Sequence, residues 1–319
     1  MLLAEMSAIR LRHCGVICHD YRVETAPCGD TPATSSDESR HMQDKEIVAR
    51  LELAQAVARE AGGMAMSYFA ERDELAIETK ANPQDVFSIA DRNVETRIRE
   101  MVASTFPADG FLGEEFGVTE GSSGFTWVVD PIDGTSPFIF GLPTWCVSIS
   151  LLREGRTVAG VIYAPPTDEM FACMKGAGAT LNGRPMRLGA ETTLRTGLTG
   201  LGANFRVPRE TIVNFVDGLM AIGGVFIRNG SGALMLAHVA AGRLVAYYEP
   251  HMNSWDCLAG MLMVREAGGW AGELPDGDNL FEGGPVLVAA PGAKDELRQL
   301  VAVTKASDET TPARDISRS

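Results

Sequence analysis

The chain has no apolar run approaching the ~20 residues that a membrane-spanning helix needs. It is also short of positive charge: 28 Lys and Arg stand against 42 Asp and Glu, a formal net charge of -14 over 319 residues. A surface built to bind nucleic acid phosphates needs the opposite balance. Its six cysteines, Cys14, Cys18, Cys28, Cys146, Cys173 and Cys257, follow no disulfide-framework spacing, which fits a reducing, cytoplasmic setting. No secretory signal is expected, because Glu5, Arg10, Arg12 and His13 interrupt any apolar core near the N-terminus. The body of the chain has neither an internal repeat nor a low-complexity tract.

What is present is an ordinary globular composition, 45% hydrophobic and 22% charged, with enough length for one large domain or two intimately packed ones. Residues 1–43 differ from the rest. TAPCGDTPATSSDESR is turn- and disorder-forming, so this part reads as a loosely attached extension, with Met42 a natural starting point. His13, Cys14, Cys18, His19 and Cys28 lie within it, but their spacing matches no common zinc module.

From Asp44 the pattern turns helical. Ile47, Leu51, Ala54, Ala58, Ala61, Ala65 and Tyr68 form one stripe, with Gly62-Gly63 a weak spot in it. A second helix is expected over Arg92 to Ser104. The runs FTWVVD, WCVSISLL, TVAGVIYAP and EMFACM then read as strands, and Leu181-Asn182-Gly183-Arg184 as a type I′ hairpin turn. After about residue 195 helices and strands alternate: GALMLAHVAAG, LVAYYEP, DCLAGMLMVREAGG, PVLVAAP and a last helix from about Ala293 to Lys305. The expected fold is α+β followed by α/β, a layered sandwich of two intimately packed subdomains over 44–195 and 196–305, with a polar tail at 306–319.

The chemistry concentrates where WVVDPIDGTSPF leaves a strand through two carboxylates. Asp130 and Asp133 are expected in a turn after the strand Trp127 to Val129, stiffened by Pro131. Ser136 would then cap a short helix whose first residue is Pro137. A helix start suits a phosphate, yet two carboxylates beside an anion are tolerable only with cations between them, and hard divalent ions such as Mg²⁺ meet that need. Alone, DPIDGT is equally an ordinary turn. The D-x-D-G-T of aspartyl-phosphate chemistry does not map, because the two aspartates here are three apart. Further acidic groups sit at element ends: Glu114 and Glu115 after Phe111-Leu112-Gly113, Asp91 before the second helix, and Asp256 after Trp255. Each of the last two also reads as a helix cap.

Taken in order, Lys80 to Asp91, Gly113-Glu114-Glu115, Asp130 to Thr135 and Trp255-Asp256 resemble the inositol monophosphatase family of Mg²⁺-dependent, lithium-sensitive phosphatases. The similarity extends through RNGSGALMLAHVAAGRL and YYEPHMNSWDCLAGMLMVREAGG and covers about residues 45–305. It implies that fold and Mg²⁺-dependent hydrolysis of inositol monophosphate or a similar small polyol phosphate. Alternatives within it are histidinol phosphate or another phosphomonoester, and a non-catalytic regulatory protein, since some relatives bind the transcription machinery.

The resemblance further implies that Glu114, Asp130 and the Ile132 carbonyl hold one Mg²⁺, with Asp130, Asp133 and Asp256 holding another. A third, weaker ion would lie near Glu114. Phosphate would rest on Gly134 and Thr135, while Thr135 and Asp91 activate the attacking water. Glu249, Ser231 and Gly232, with Gly230, would face the substrate, and His251 and Asn253 would line the rim. Glu115 and Lys80 would support the metal ligands, and His238 reads as a packed helix residue. Pro137 departs from the family's usual Asn, which bears on specificity. A homodimer and inhibition by Li⁺ are also family expectations.

Overall fold

The computed structural model describes residues 35–72, 77–79, 86–204, 206–273 and 280–308, and for 35–43, 77–79, 86–88 and 305–308 the backbone alone. The cysteine and histidine cluster before residue 30, and Lys80, lie outside the described residues. By internal contacts the chain divides into two units, Met1–His41 and Met42–Ser319, and both large sheets and their cores belong to the second. Among the described residues no helix is long and apolar enough to cross a membrane.

Helix α1 (Ser35–Ala70) buries Ala54, Ala58, Ala61 and Ala65, with Ile47, Leu51 and Tyr68 packed beside them. The helix runs unbroken through Gly62-Gly63. A side chain at Gly62 would begin 2.7 Å from Tyr163 and Pro165, so that glycine marks a close approach to the sheet and not a weak spot. Strands β1 (Ile77–Thr79) and β2 (Val86–Ser88) form a small antiparallel pair. Helix α2 (Ile89–Thr105) starts three residues earlier than expected and turns Val94, Ile98 and Val102 inward.

Strands β3 (Gly110–Gly113), β4 (Gly117–Thr119) and β5 (Phe125–Asp133) precede the short helix α3 (Thr135–Ile139). Strands β6 (Cys146–Arg153), β7 (Arg156–Ala164), β8 (Glu169–Met174), β9 (Gly178–Leu181) and β10 (Arg184–Met186) then complete an eight-stranded sheet in the order β10-β9-β8-β7-β6-β5-β3-β4. The β9–β10 turn has φ 48° at Asn182 and 75° at Gly183, the two positive angles a type I′ turn needs.

The second sheet combines β11 (Leu198–Leu201), β12 (Val225–Ile227), β13 (Ala246–Met252), β14 (Trp270–Ala271) and β15 (Gly284–Ala289) in the order β12-β11-β13-β15-β14. Helices α4 (Arg209–Ala221) and α7 (Lys294–Asp308) share a core with this sheet. Helices α5 (Gly232–Ala240) and α6 (Ser254–Glu266) are buried on nearly every side, because they lie between the two sheets and share a core with both. Strand periodicity explains the division. Trp127, Val129, Val147, Ile149, Val161 and Ala172 point to α1 and α2, whereas Cys146, Ile162, Phe171 and Cys173 point to α5 and α6.

Two features set the position of α6. Ser148 Oγ donates to the Trp255 carbonyl at 2.9 Å, anchoring its first turn to β6. At Gly160 on β7 an added Cβ would meet Ala259 Cα at 2.8 Å, so helix and strand are nearly in backbone contact.

Candidate metal and phosphate site

Strand β5 does not end at Val129. It continues through the two aspartates to Asp133, with its register to β6 shifting between Asp130 and Asp133. The expected turn is therefore a bulge, one of the few places where a sheet accepts a proline such as Pro131. The bulge is held locally, with the Ile132 N–H donating to Asp130 Oδ1 at 2.9 Å. Helix α3 also begins two residues earlier than expected, with Gly134 and not Ser136 as its N-cap. Gly134 has φ 97°, and a Cβ there would meet the Thr144 carbonyl at 2.9 Å, so both conformation and space demand glycine.

Asp256 arrives from α6. Asn253, not Asp256, is the N-cap, and Asp256 Oδ2 accepts the Asn253 N–H at 3.3 Å from the third helical position. Carboxylate oxygens of Asp130, Asp133 and Asp256 lie within 4.8 Å of one another. Glu114, in the turn after β3, lines the same cleft. Burial pushes the Asp130 carboxyl well above its usual range, and repulsion from Glu114, Asp133 and Asp256 adds to this. Asp256 moves up by burial and by the charges of Asp133 and Glu114. Asp133 is pushed up to about 6 by burial, opposed by hydrogen bonds from Ser231 and Ala233. A buried, mutually repelling, all-oxygen donor set fits a hard divalent cation, whose charge removes the repulsion.

Thr135 Oγ1 lies 3.3 Å from Asp91 Oδ1 and 3.2 Å from the Ile132 carbonyl. Its single proton serves one acceptor at a time. Asp91 is buried in the first turn of α2. The structure thus brings Asp91, Thr135, Ile132, Asp130, Asp133 and Asp256 together from α2, β5, α3 and α6.

The cleft has a volume of about 970 Å³ and also takes in Gly134, Ser231, Gly232 and Glu249. Ser231 caps α5: its Oγ accepts the Leu234 N–H at 3.2 Å and donates to Asp133 Oδ2. The Ala233 N–H reaches the same carboxylate at 2.7 Å and that of Gly232 at 3.3 Å. Glu249 accepts from the Tyr247 hydroxyl and, at 3.1 Å, from Asn204 Nδ2. Its carboxyl is raised by burial, against those two hydrogen bonds and the charges of Arg228 and Arg206. His251 and Asn253 also line the cleft. Pro137 is buried and packs on the Asn229–Ser231 loop, since a Cβ at Gly230 would lie 2.6 Å from Pro137 Cγ.

The Glu115 side chain is buried and lies 3.8 Å from Arg92. His238 packs edge-on against Phe171, and burial pushes its pKa down to about 4. Several contributors had no sequence signature. Glu95 accepts the Glu115 N–H at 2.7 Å and the Phe116 N–H at 3.3 Å, fixing the turn that carries Glu114. Asn204 orients Glu249. Arg206 and Arg228 line the cleft. All come from segments whose local pattern reads as ordinary helix or loop.

The model of the inositol monophosphatase family matches residues 48–308. An inositol-1-monophosphatase from Rhizobium meliloti is 35% identical over 78% of this chain and 94% of its own length. A protein named Nus factor SuhB from Haemophilus influenzae is 34% identical over 75% of this chain and 90% of its own. Among solved structures, extragenic suppressor protein suhB from Bartonella henselae superposes with a TM-score of 0.74 at 34% identity, covering 79% of this chain and 98% of that one. With a family match over most of its length and the motif carboxylates gathered in one cleft, the chain belongs to the inositol monophosphatase family.

Proposed function

We propose that this protein is a Mg²⁺-dependent phosphomonoesterase acting on inositol monophosphate or a similar small polyol phosphate. The observation that carries this reading is the convergence of Asp130, Asp133 and Asp256 within 4.8 Å, beside the Thr135–Asp91 hydrogen bond. Glu114, Asp130, the Ile132 carbonyl, Asp133 and Asp256 would hold roughly two to three Mg²⁺ ions. When bound, the ions supply a water acidic enough to attack phosphorus and a counter-charge for the phosphoryl oxygens and the leaving alkoxide.

The chain's own residues supply the rest. Thr135 orients the attacking water through its hydroxyl, and buried Asp91 accepts the proton that Thr135 relays. Backbone N–H groups of Gly134 and Thr135, at the start of α3, face the phosphoryl oxygens. Glu249 is held by Tyr247 and Asn204 so that its remaining lone pairs accept substrate hydroxyls. Phosphate release from inositol 1-phosphate, with and without Mg²⁺ and beside histidinol phosphate, tests the reading. No Mg²⁺-dependent release from any phosphomonoester would overturn it.

The relatives named Nus factor SuhB favour a second reading, a regulatory protein that acts by binding. A pull-down with RNA polymerase tests it. The intact carboxylate set supports catalysis, because buried like charges without a cation cost stability.

A further inference from the structure

Resting on the phosphomonoesterase reading, we propose that Gly202 is a specificity-determining position. Its missing side chain makes the seat in which Tyr247 and Asn204 present Glu249 to substrate hydroxyls. The seat thereby sets a preference for polyol phosphates over phosphomonoesters without hydroxyls.

Strand β11 ends at Leu201, which pairs in parallel with Tyr248 of β13. The Gly202 N–H carries the pairing one step further, donating to the Tyr248 carbonyl at 2.8 Å. An added Cβ at Gly202 would overlap the Glu249 carboxylate and lie 2.6 Å from the Tyr247 hydroxyl. Neither group is free to yield. Tyr247 is 1% exposed, and both oxygens of Glu249 are engaged. The Tyr247 hydroxyl donates to Oε2, and Asn204 Nδ2 donates to Oε1 at 3.1 Å. The same Nδ2 donates to the His251 carbonyl at 2.7 Å, tying the chain just after Gly202 to β13.

Space, not backbone conformation, is what glycine supplies here, since Gly202 is not among the residues with positive φ. Gly232 also lies against the Tyr247–Glu249 pair, but the fit there is looser. A Cβ at Gly232 would meet the Tyr247 hydroxyl at 3.5 Å and Glu249 Oε2 at 3.6 Å, ordinary contact distances. The tight wall of the seat is therefore at position 202.

Each oxygen of an ionised carboxylate has two lone pairs, so one protein donor apiece leaves Glu249 able to accept from a ligand. A buried acceptor that a ligand leaves unpaired penalises that ligand, which is how a site built for hydroxyls rejects an analogue lacking them. That selection works only while the carboxylate stays in place. A methyl group at 202 would push it out of its seat, and Glu249 would remain in the chain without reading the substrate.

The test measures kcat and KM of the full chain with saturating Mg²⁺ on two substrates. One is inositol 1-phosphate; the other is cyclohexyl phosphate, which keeps the ring and has no hydroxyl. The parent should favour inositol 1-phosphate. Gly202→Ala should cut the ratio of the two kcat/KM values about tenfold or more, the scale of a lost hydrogen bond to a charged group. The loss should fall mainly on KM for inositol 1-phosphate, because ground state and transition state share the contact. Glu249→Asp, one methylene shorter, should restore part of the ratio when combined with Gly202→Ala. Tyr247→Phe removes a donor without adding bulk and should lower the ratio severalfold, which serves if the Ala variant does not fold. A ratio unchanged in both variants, or an equal loss on both substrates in each, overturns the seat and leaves the phosphatase reading standing. A parent that hydrolyses both substrates equally well does the same. If it hydrolyses neither, this inference falls, and the phosphatase reading falls with it only if no other phosphomonoester is hydrolysed.

Discussion

Ser231 Oγ donates a hydrogen bond to Oδ2 of Asp133, 98 positions earlier in the chain. Two backbone N–H groups of α5 reinforce it, so the start of a buried helix clamps one carboxylate of the cluster. The hydroxyl the resemblance places on substrate is thus already engaged. Ser231→Ala is expected to weaken divalent-cation binding about tenfold, the scale of one hydrogen bond to a charged group. Calorimetric titration of the metal-free protein with Mg²⁺ or Mn²⁺ reads this directly. Ser231→Thr, which keeps the hydroxyl, should bind as the parent does, and an unaltered Ala isotherm would show that the backbone donors suffice.

Asp130→Asn should abolish Mg²⁺-dependent turnover and at the same time raise the melting temperature of the metal-free protein. Asp130 is buried and faces Glu114, Asp133 and Asp256. Removing its charge relieves that repulsion. Differential scanning calorimetry with EDTA, run beside a phosphate-release assay, gives both numbers. Retained activity would defeat the assignment of this aspartate.

Burial of Asp133 gives a pH dependence. The Asp133 carboxyl moves from 3.8 to about 6 in the folded chain. The native state then binds its proton more tightly than the unfolded state, so this group's contribution to metal-free stability is fully present below about pH 4. It should fall as pH rises to about 6, by on the order of 3 kcal/mol from this group. Saturating Mg²⁺ should remove the decline. Melting curves across that window, with and without Mg²⁺, test the sign, and a metal-free protein that gains stability there would contradict it.

Asp109 works in the opposite direction. Burial would raise its pKa, but Arg50, Ser123 and Trp127 all hydrogen-bond to it and together hold it below 3.8. This stabilisation is present above about pH 4 and is lost as pH falls through the depressed value. Asp109→Ala should cost about 3 kcal/mol, because it takes the ion-pair partner from the buried Arg50 guanidinium. Urea unfolding at neutral pH measures the loss.

Gly113→Ala should damage the site without touching the cleft. A Cβ there would lie 2.1 Å from Glu95 Oε1, displacing the carboxylate that holds the Glu115 and Phe116 N–H groups. With the Glu114 turn loosened, the Mg²⁺ concentration for half-maximal activity should rise several-fold, with a smaller change in substrate KM. A kcat and metal dependence equal to the parent's would show that the turn holds its shape without Glu95.

Much of this was legible in the sequence, because long periodic elements bury one face. The α1 stripe and strands β6, β7 and β8 are where periodicity puts them. The failures share a physical cause, namely that tertiary contacts override local signals. DPID reads as a turn from composition, but pairing with β6 carries the strand through it as a bulge. Gly62 reads as a breaker, whereas the sheet needs its missing side chain. Asp256 reads as a cap, yet Asn253 three residues earlier takes that place. At the site, motif order named the carboxylates, but Glu95, Asn204, Arg206 and Arg228 act through partners distant in sequence, which no local pattern encodes.

Gly160 matters to the site from a distance. Asp256 reaches the other carboxylates only because α6 sits nearly backbone to backbone on β7. A methyl group at position 160 would lift the helix and carry one carboxylate away from its neighbours. Cation affinity at this cluster would thus depend on the thickness of a packing layer, and drift at a residue outside the cleft could retune it while Asp130, Asp133 and Asp256 stay unchanged.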